Sequence, residues 1–96
     1  MICLTAEFIA QTGSENLLEQ LLTSMLEPSR QEDGCISYQL QRTEDKSIYL
    51  FQERFVDQAA FDFHCEQDYF KALIENVGNL IIAEPKIQFY IPVELK

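Results

Sequence analysis

Ninety-six residues with 47% hydrophobic side chains suffice for one small core and leave no room for a second domain. Sixteen acidic residues against seven basic ones give a formal net charge of −9, which repels phosphate backbones and anionic lipid and sets nucleic-acid and membrane-surface binding aside. Three cysteines, Cys3, Cys35 and Cys65, are odd in number and lack a CxxC spacing. Neither a disulfide framework nor a zinc knuckle is therefore expected, and a reducing, cytoplasmic setting fits.

The first ten residues carry Glu7 and no basic stretch, unlike a secretory signal. No apolar run approaches the ~20 residues of a membrane span. A single domain over residues 1–96 is expected. Ile2 to Ala10 alternates, with Ile2, Leu4, Ala6 and Phe8 on one face and Cys3, Thr5 and Glu7 on the other, which is strand periodicity. Thr12-Gly13-Ser14 punctuates the chain, and Ser14 suits a helix N-cap. Leu17, Leu18, Leu21, Leu22, Met25 and Leu26 then form one helical stripe. Pro28 lacks an amide donor and clashes with the preceding turn, so the helix kinks there, or stops and restarts with Pro28 in a first turn. Asp33-Gly34 ends it.

Cys35 to Arg42 alternates again, and Thr43-Glu44-Asp45-Lys46 reads as a hairpin loop. Ser47 to Phe55 is apolar at Ile48 and Leu50 on one face and at Tyr49, Phe51 and Phe55 on the other, the pattern of a strand covered on both sides. Asp57 opens a second helical region that runs to Ile82. A single rod of that length would span about 39 Å at ~1.5 Å per residue, against about 30 Å for the strands, so a break is predicted near Glu66-Gln67-Asp68. Pro85 opens a last strand over Ile87–Val93, with Pro92 inside it marking an edge. Strand, helix, strand, strand, helix, strand is the ferredoxin-like βαββαβ order: an α+β domain with an antiparallel sheet and both helices on one face. The other face is left bare, and a bare apolar face invites a second copy, so a homodimer is expected.

His64 is the sole histidine and the natural candidate for a general base, since imidazole is the side chain that ordinarily titrates near neutrality. On a continuous helix it would lie roughly 120° from the centre of the Phe70, Leu73, Ile74, Val77, Ile81 stripe at ~100° per residue; it points inward only if the helix breaks after it. A structural histidine is the alternative. Glu53 shares a strand face with Phe51 and Phe55. A carboxyl among aromatics has its ionisation disfavoured and becomes a functional candidate, the alternative being an ion pair with Arg30, Arg42 or Arg54. Tyr38, Tyr49, Tyr69 and Tyr90 suit either a pocket wall or a core with one wet end. No metal spacing, phosphate loop or nucleophile elbow occurs, so no metal or cofactor site is expected.

Arg30-x-Glu32-x-Gly34-Cys35-x-x-Tyr38, then Phe51-x-Glu53-x-Phe55, then Ala60-x-x-x-His64 followed by Tyr69-Phe70, resembles the antibiotic biosynthesis monooxygenase family, chiefly its short quinol-monooxygenase-like members. The resemblance covers nearly the whole chain. It implies sheet-to-sheet dimerisation into an α/β barrel, with a pocket between sheet and helices in each protomer. It also implies oxygenation of a quinol-like or polycyclic phenolic small molecule by O2 without metal or flavin. His64 and Glu53 match the family's recurrent His and Glu and are the implied catalytic pair, His64 as base or hydrogen-bond partner and Glu53 as its orienter or a structural anchor, with Tyr38, Phe51, Phe55 and Tyr69 as substrate contacts. Other relatives isomerise a phosphorylated sugar or degrade haem. The position two after the family's Glu, often Trp, is Phe55 here and the chain has no Trp, which argues against haem degradation; the acidic balance argues against a phosphorylated substrate. An isomerase or other proton-transfer enzyme using the same pocket, and a non-catalytic small-molecule-binding dimer, are the alternative readings.

Overall fold

The computed structural model describes residues 1–94. Its elements run β1 (Ile2–Ile9), α1 (Glu15–Thr23), α2 (Leu26–Arg30), β2 (Cys35–Arg42), β3 (Ile48–Phe55), α3 (Gln58–Cys65), α4 (Asp68–Val77), a short 3-10 turn (Gly78–Leu80) and β4 (Lys86–Tyr90). The sheet order is β2-β3-β1-β4 with every pair antiparallel, which is the ferredoxin-like arrangement.

Each predicted break is present. The first helix stops at Thr23 and restarts at Leu26, placing Pro28 in the first turn of α2, where its missing amide costs no helical bond. The second helical region divides at Glu66-Gln67, between α3 and α4. Asp57 caps α3 by accepting from the Ala60 amide at 2.9 Å. Ser14, in contrast, makes no side-chain cap bond; the Glu15 carboxylate takes the Gly13 amide at 2.9 Å and fixes the turn, in which Gly13 has φ +93°.

Leu18, Leu22 and Met25 pack from the first helical segments, and Leu73 and Val77 from α4, onto Leu4, Ala6, Phe8, Tyr38, Tyr49, Phe51 and Phe55 of the sheet. All three β3 aromatics thus face the helices. The opposite face of β3 carries Gln52 and Arg54 beside Ile48 and Leu50, and its neighbours there are Thr5, Ser37, Gln39 and Gln88. The expectation of a bare apolar face is corrected: strand alternation puts the aromatics of β3 on the covered side, and the open side is mixed in character.

The last strand is also shorter than expected. It pairs with β1 only as far as Tyr90 opposite Cys3; in that register Pro92 would face Met1, outside β1, and proline has no amide to give a ladder. Pro92 therefore lies beyond the strand rather than within it, although β4 is an edge as predicted.

Candidate active site

Three elements bring the site together. Glu53 projects from β3 on the helix side, where Tyr38 of β2 and Leu4 of β1 flank it in register. His64 ends α3, and because the helix breaks just after it, the ring is free to turn inward; it is 1% exposed. Glu32 sits in the turn between α2 and β2. Its own amide donates to Ser29 at 3.1 Å and its carbonyl accepts from Cys35 at 3.1 Å, so the backbone presenting it is held at both ends. Gly34 follows at once, and a Cβ there would stand 2.3 Å from that of Ala60. Glycine is needed for α3 to approach closely enough to deliver His64.

The imidazole lies between two carboxyl groups. Nδ1 is 2.9 Å from Glu32 Oε2, and Nε2 is 3.9 Å from Glu53 Oε1. The Tyr69 hydroxyl donates to the same Glu32 oxygen and lies 3.3 Å from the Pro28 carbonyl. Aromatic rings enclose the imidazole, with those of Phe55 at 5.0 Å, Tyr38 at 5.3 Å and Phe70 at 5.3 Å between centroids. Nε2 has no hydrogen-bond partner, nor do the buried Ser29 Oγ and Glu32 Oε1.

Burial, reinforced by the charge of Glu32, pushes the Glu53 carboxyl up to about 8. Glu53 thereby becomes a group that can hold or release a proton near neutrality. Tyr38 is driven well above the usual phenol range, first by burial and then by Glu53, so its hydroxyl stays protonated. Tyr69 is raised by burial and by its bond to Glu32.

Beside Glu53 opens a cleft of about 280 Å³ between the sheet and α4. Phe8, Phe51, Phe61, Phe70 and Tyr38 form aromatic walls, Ile74, Pro85 and Ile87 also line it, and among the described residues Glu53 and Glu84 are its only Asp, Glu, Lys or Arg side chains. Of the residues singled out from sequence, Glu53, Tyr38 and Phe51 line this cleft. His64, Phe55 and Tyr69 do not; His64 stands behind Glu53, Phe55 packs against the imidazole, and Tyr69 holds Glu32. Phe61, Phe70 and Glu32 belong to the arrangement but were not among the predicted site residues. Glu32 carried one signal, its place in the Arg30-x-Glu32-x-Gly34 run, but it lies 32 residues from the histidine that it meets.

Among the described residues no group of three or more His, Cys, Asp or Glu side chains is gathered to hold a metal ion. Glu32 and Glu53 address opposite nitrogens of one ring and so cannot share an ion with it. No helix among the described residues is long and apolar enough to cross a membrane.

The fold and site define a ferredoxin-like domain with a buried carboxyl–imidazole–carboxyl array beside an aromatic cleft. A model of the antibiotic biosynthesis monooxygenase family matches residues 1–76, and the chain belongs to that family. The Mycobacterium tuberculosis protein Rv0793, whose name assigns it provisionally as a monooxygenase, is 27% identical over 93 residues, covering 97% of this chain and 92% of that protein. Its solved structure matches with a TM-score of 0.92 over 98% of this chain and 96% of that one. The structure of protein SO0527 from Shewanella oneidensis matches at 33% identity and a TM-score of 0.86, over 93% of this chain and 87% of that one. An uncharacterized Synechocystis protein, sll1783, is 39% identical over 72 residues; the match spans 73% of this chain but about half, 48%, of that relative.

Proposed function

We propose that this chain is a monooxygenase that binds a small quinol or phenol in the cleft beside Glu53 and lets it react directly with O2. The observation that carries this reading is the buried Glu53 carboxyl in a cleft walled by aromatic and aliphatic side chains, with an imidazole directly behind it. The walls suit a flat ring by offset or edge-to-face contact. Among the described residues no cationic side chain lines the cleft, so an anionic ligand would meet two carboxyl groups there.

The chemistry asks little of the protein. A quinol ionised at one hydroxyl is electron-rich enough to pass an electron to O2, so the site must bind it, take its proton and exclude water. Glu53, pushed up to about 8, is closer in strength to a phenol than an exposed carboxylate is; it accepts that proton in its ionised form, whose share grows as pH rises through 8. His64 Nε2 is the next acceptor behind it. The two radicals formed by electron transfer combine at a ring carbon to give a hydroperoxide. Loss of water then leaves the hydroxyquinone, so one oxygen atom is retained and the other departs as water. Of the four electrons that reduce O2, two leave as the quinol becomes a quinone and two as a ring C–H bond is replaced by C–O while the O–O bond breaks, and no further reductant is consumed.

The decisive comparison is oxygen-electrode uptake with a reduced naphthoquinone in wild type and in Glu53→Gln. We expect quinol-dependent uptake that falls by about 10²-fold in the variant, the worth of a positioned acid–base group. Equal uptake in both would remove Glu53 from the reaction. We further propose that the open sheet face is covered by a second copy of the chain. Its concavity of about 490 Å³ is lined by Cys3, Ile36, Gln39, Gln52, Arg54 and Tyr90, among others, a mixture of apolar and hydrogen-bonding groups that a symmetric contact can satisfy.

A further inference from the structure

We propose that Glu32 is a positioning residue: held by Tyr69, it fixes His64 in the tautomer that carries its proton on Nδ1, so that a bare Nε2 faces Glu53. The Tyr69 hydroxyl has one proton, and its closest acceptor is Glu32 Oε2 rather than the Pro28 carbonyl at 3.3 Å. As a carboxylate, Glu32 only accepts, so Nδ1, 2.9 Å from the same oxygen, is the donor to it.

A neutral imidazole has one N–H, so a proton on Nδ1 leaves Nε2 as a lone pair. The surroundings agree. Nε2 is fully buried and has no hydrogen-bond partner; the nearest polar atom described for it is Glu53 Oε1 at 3.9 Å. An unpaired lone pair is tolerated there more readily than an unpaired N–H, which the opposite tautomer would create. The packing leaves the ring few alternatives, since Phe55, Tyr38 and Phe70 hold it from three sides. Bringing Glu53 to hydrogen-bond distance of Nε2 takes a shift of about 1 Å, within reach of a carboxyl rotation when a ligand enters the cleft.

Glu32 does more than fill space. Its Oε1 is buried without a partner, and a structural role in packing would be met as well by an apolar side chain of similar volume. The carboxyl is useful here for the direction in which it sets the imidazole, the same service that a buried carboxylate gives a catalytic histidine elsewhere.

Because His64 is the sole histidine, 15N-labelling of imidazole reports this ring alone. In the wild-type protein near neutrality, Nδ1 is expected to give the signal of a protonated ring nitrogen and Nε2 that of a bare one. In Glu32→Leu, which removes the acceptor while keeping the volume, the pattern is expected to reverse, with the proton moving to Nε2 and its acceptor becoming Glu53. A wild-type ring protonated on Nε2, whether alone or together with Nδ1, would overturn the proposal, as would a Glu32→Leu spectrum identical to wild type. The wild-type spectrum decides the matter by itself if the variant does not fold. The catalytic consequence rests on the monooxygenase reading: kcat for quinol oxidation should fall about 10²-fold in Glu32→Leu with KM nearly unchanged. The predicted spectra in a protein that oxidises no quinol would refute that reading and leave the positioning role intact.

Discussion

Glu53 is where residue chemistry and stability meet. In the unfolded chain its carboxyl titrates near the ordinary 4.5; in the folded protein burial raises it to about 8. Between these values the folded state keeps a proton that the unfolded state has lost. The stability linked to this proton is therefore complete below about pH 4.5 and disappears as pH rises towards 8. Glutamine does not titrate, so Glu53→Gln should gain stability over wild type progressively between pH 5 and pH 8.5, by roughly 3–5 kcal/mol at most, readable as a widening gap in Tm. A gap that is constant across this range would show that Glu53 is not held protonated. The same residue was legible in the sequence, because strand alternation placed a carboxyl on the face shared by Phe51 and Phe55. Glu32 was not: it lies in a turn, where no periodicity assigns a direction, and its partners His64 and Tyr69 come from distant helices.

At the scale of elements, the site depends on two interruptions and one close approach. His64 turns inward because α3 stops at Cys65, and the sequence supplied that condition through the length mismatch between one long rod and the strands, though not the outcome. Pro28 in the first turn of α2 carries the chain down to Arg30, whose Nε donates to the Tyr38 carbonyl at 2.8 Å and ties α2 to the strand that lines the cleft. Gly34 then admits α3. Replacing it with alanine sets a methyl group against Ala60, so α3 must move away and carry His64 with it. Gly34→Ala should cost about 1–3 kcal/mol in denaturant unfolding and reduce turnover as well. Unchanged stability and unchanged activity together would mean that the approach of α3 is not what places the histidine. Gly34 was visible from sequence only as a helix stop; its second role needs the neighbouring helix to be in place.

For the whole molecule, element order and sheet topology followed from periodicity, and one side of the sheet is covered as that order requires. The character of the uncovered side did not follow. Counting Ile48 and Leu50 against Tyr49, Phe51 and Phe55 suggested two apolar faces, yet the strands beside β3 contribute Thr5, Ser37 and Gln39 to the open one. A second copy on that face would therefore bring many hydrogen bonds as well as apolar contact. Sedimentation at micromolar concentration should give twice the 11.2 kDa of the chain, and a monomer would contradict the paired sheet.

The central claim is that the cleft beside Glu53 supports insertion of oxygen into a quinol, and its most direct test is the oxygen balance of that reaction. Monooxygenation predicts one O2 consumed per quinol, a hydroxylated quinone as product and no hydrogen peroxide. Release of one peroxide per quinol, leaving the unhydroxylated quinone, would show simple oxidation and contradict the account.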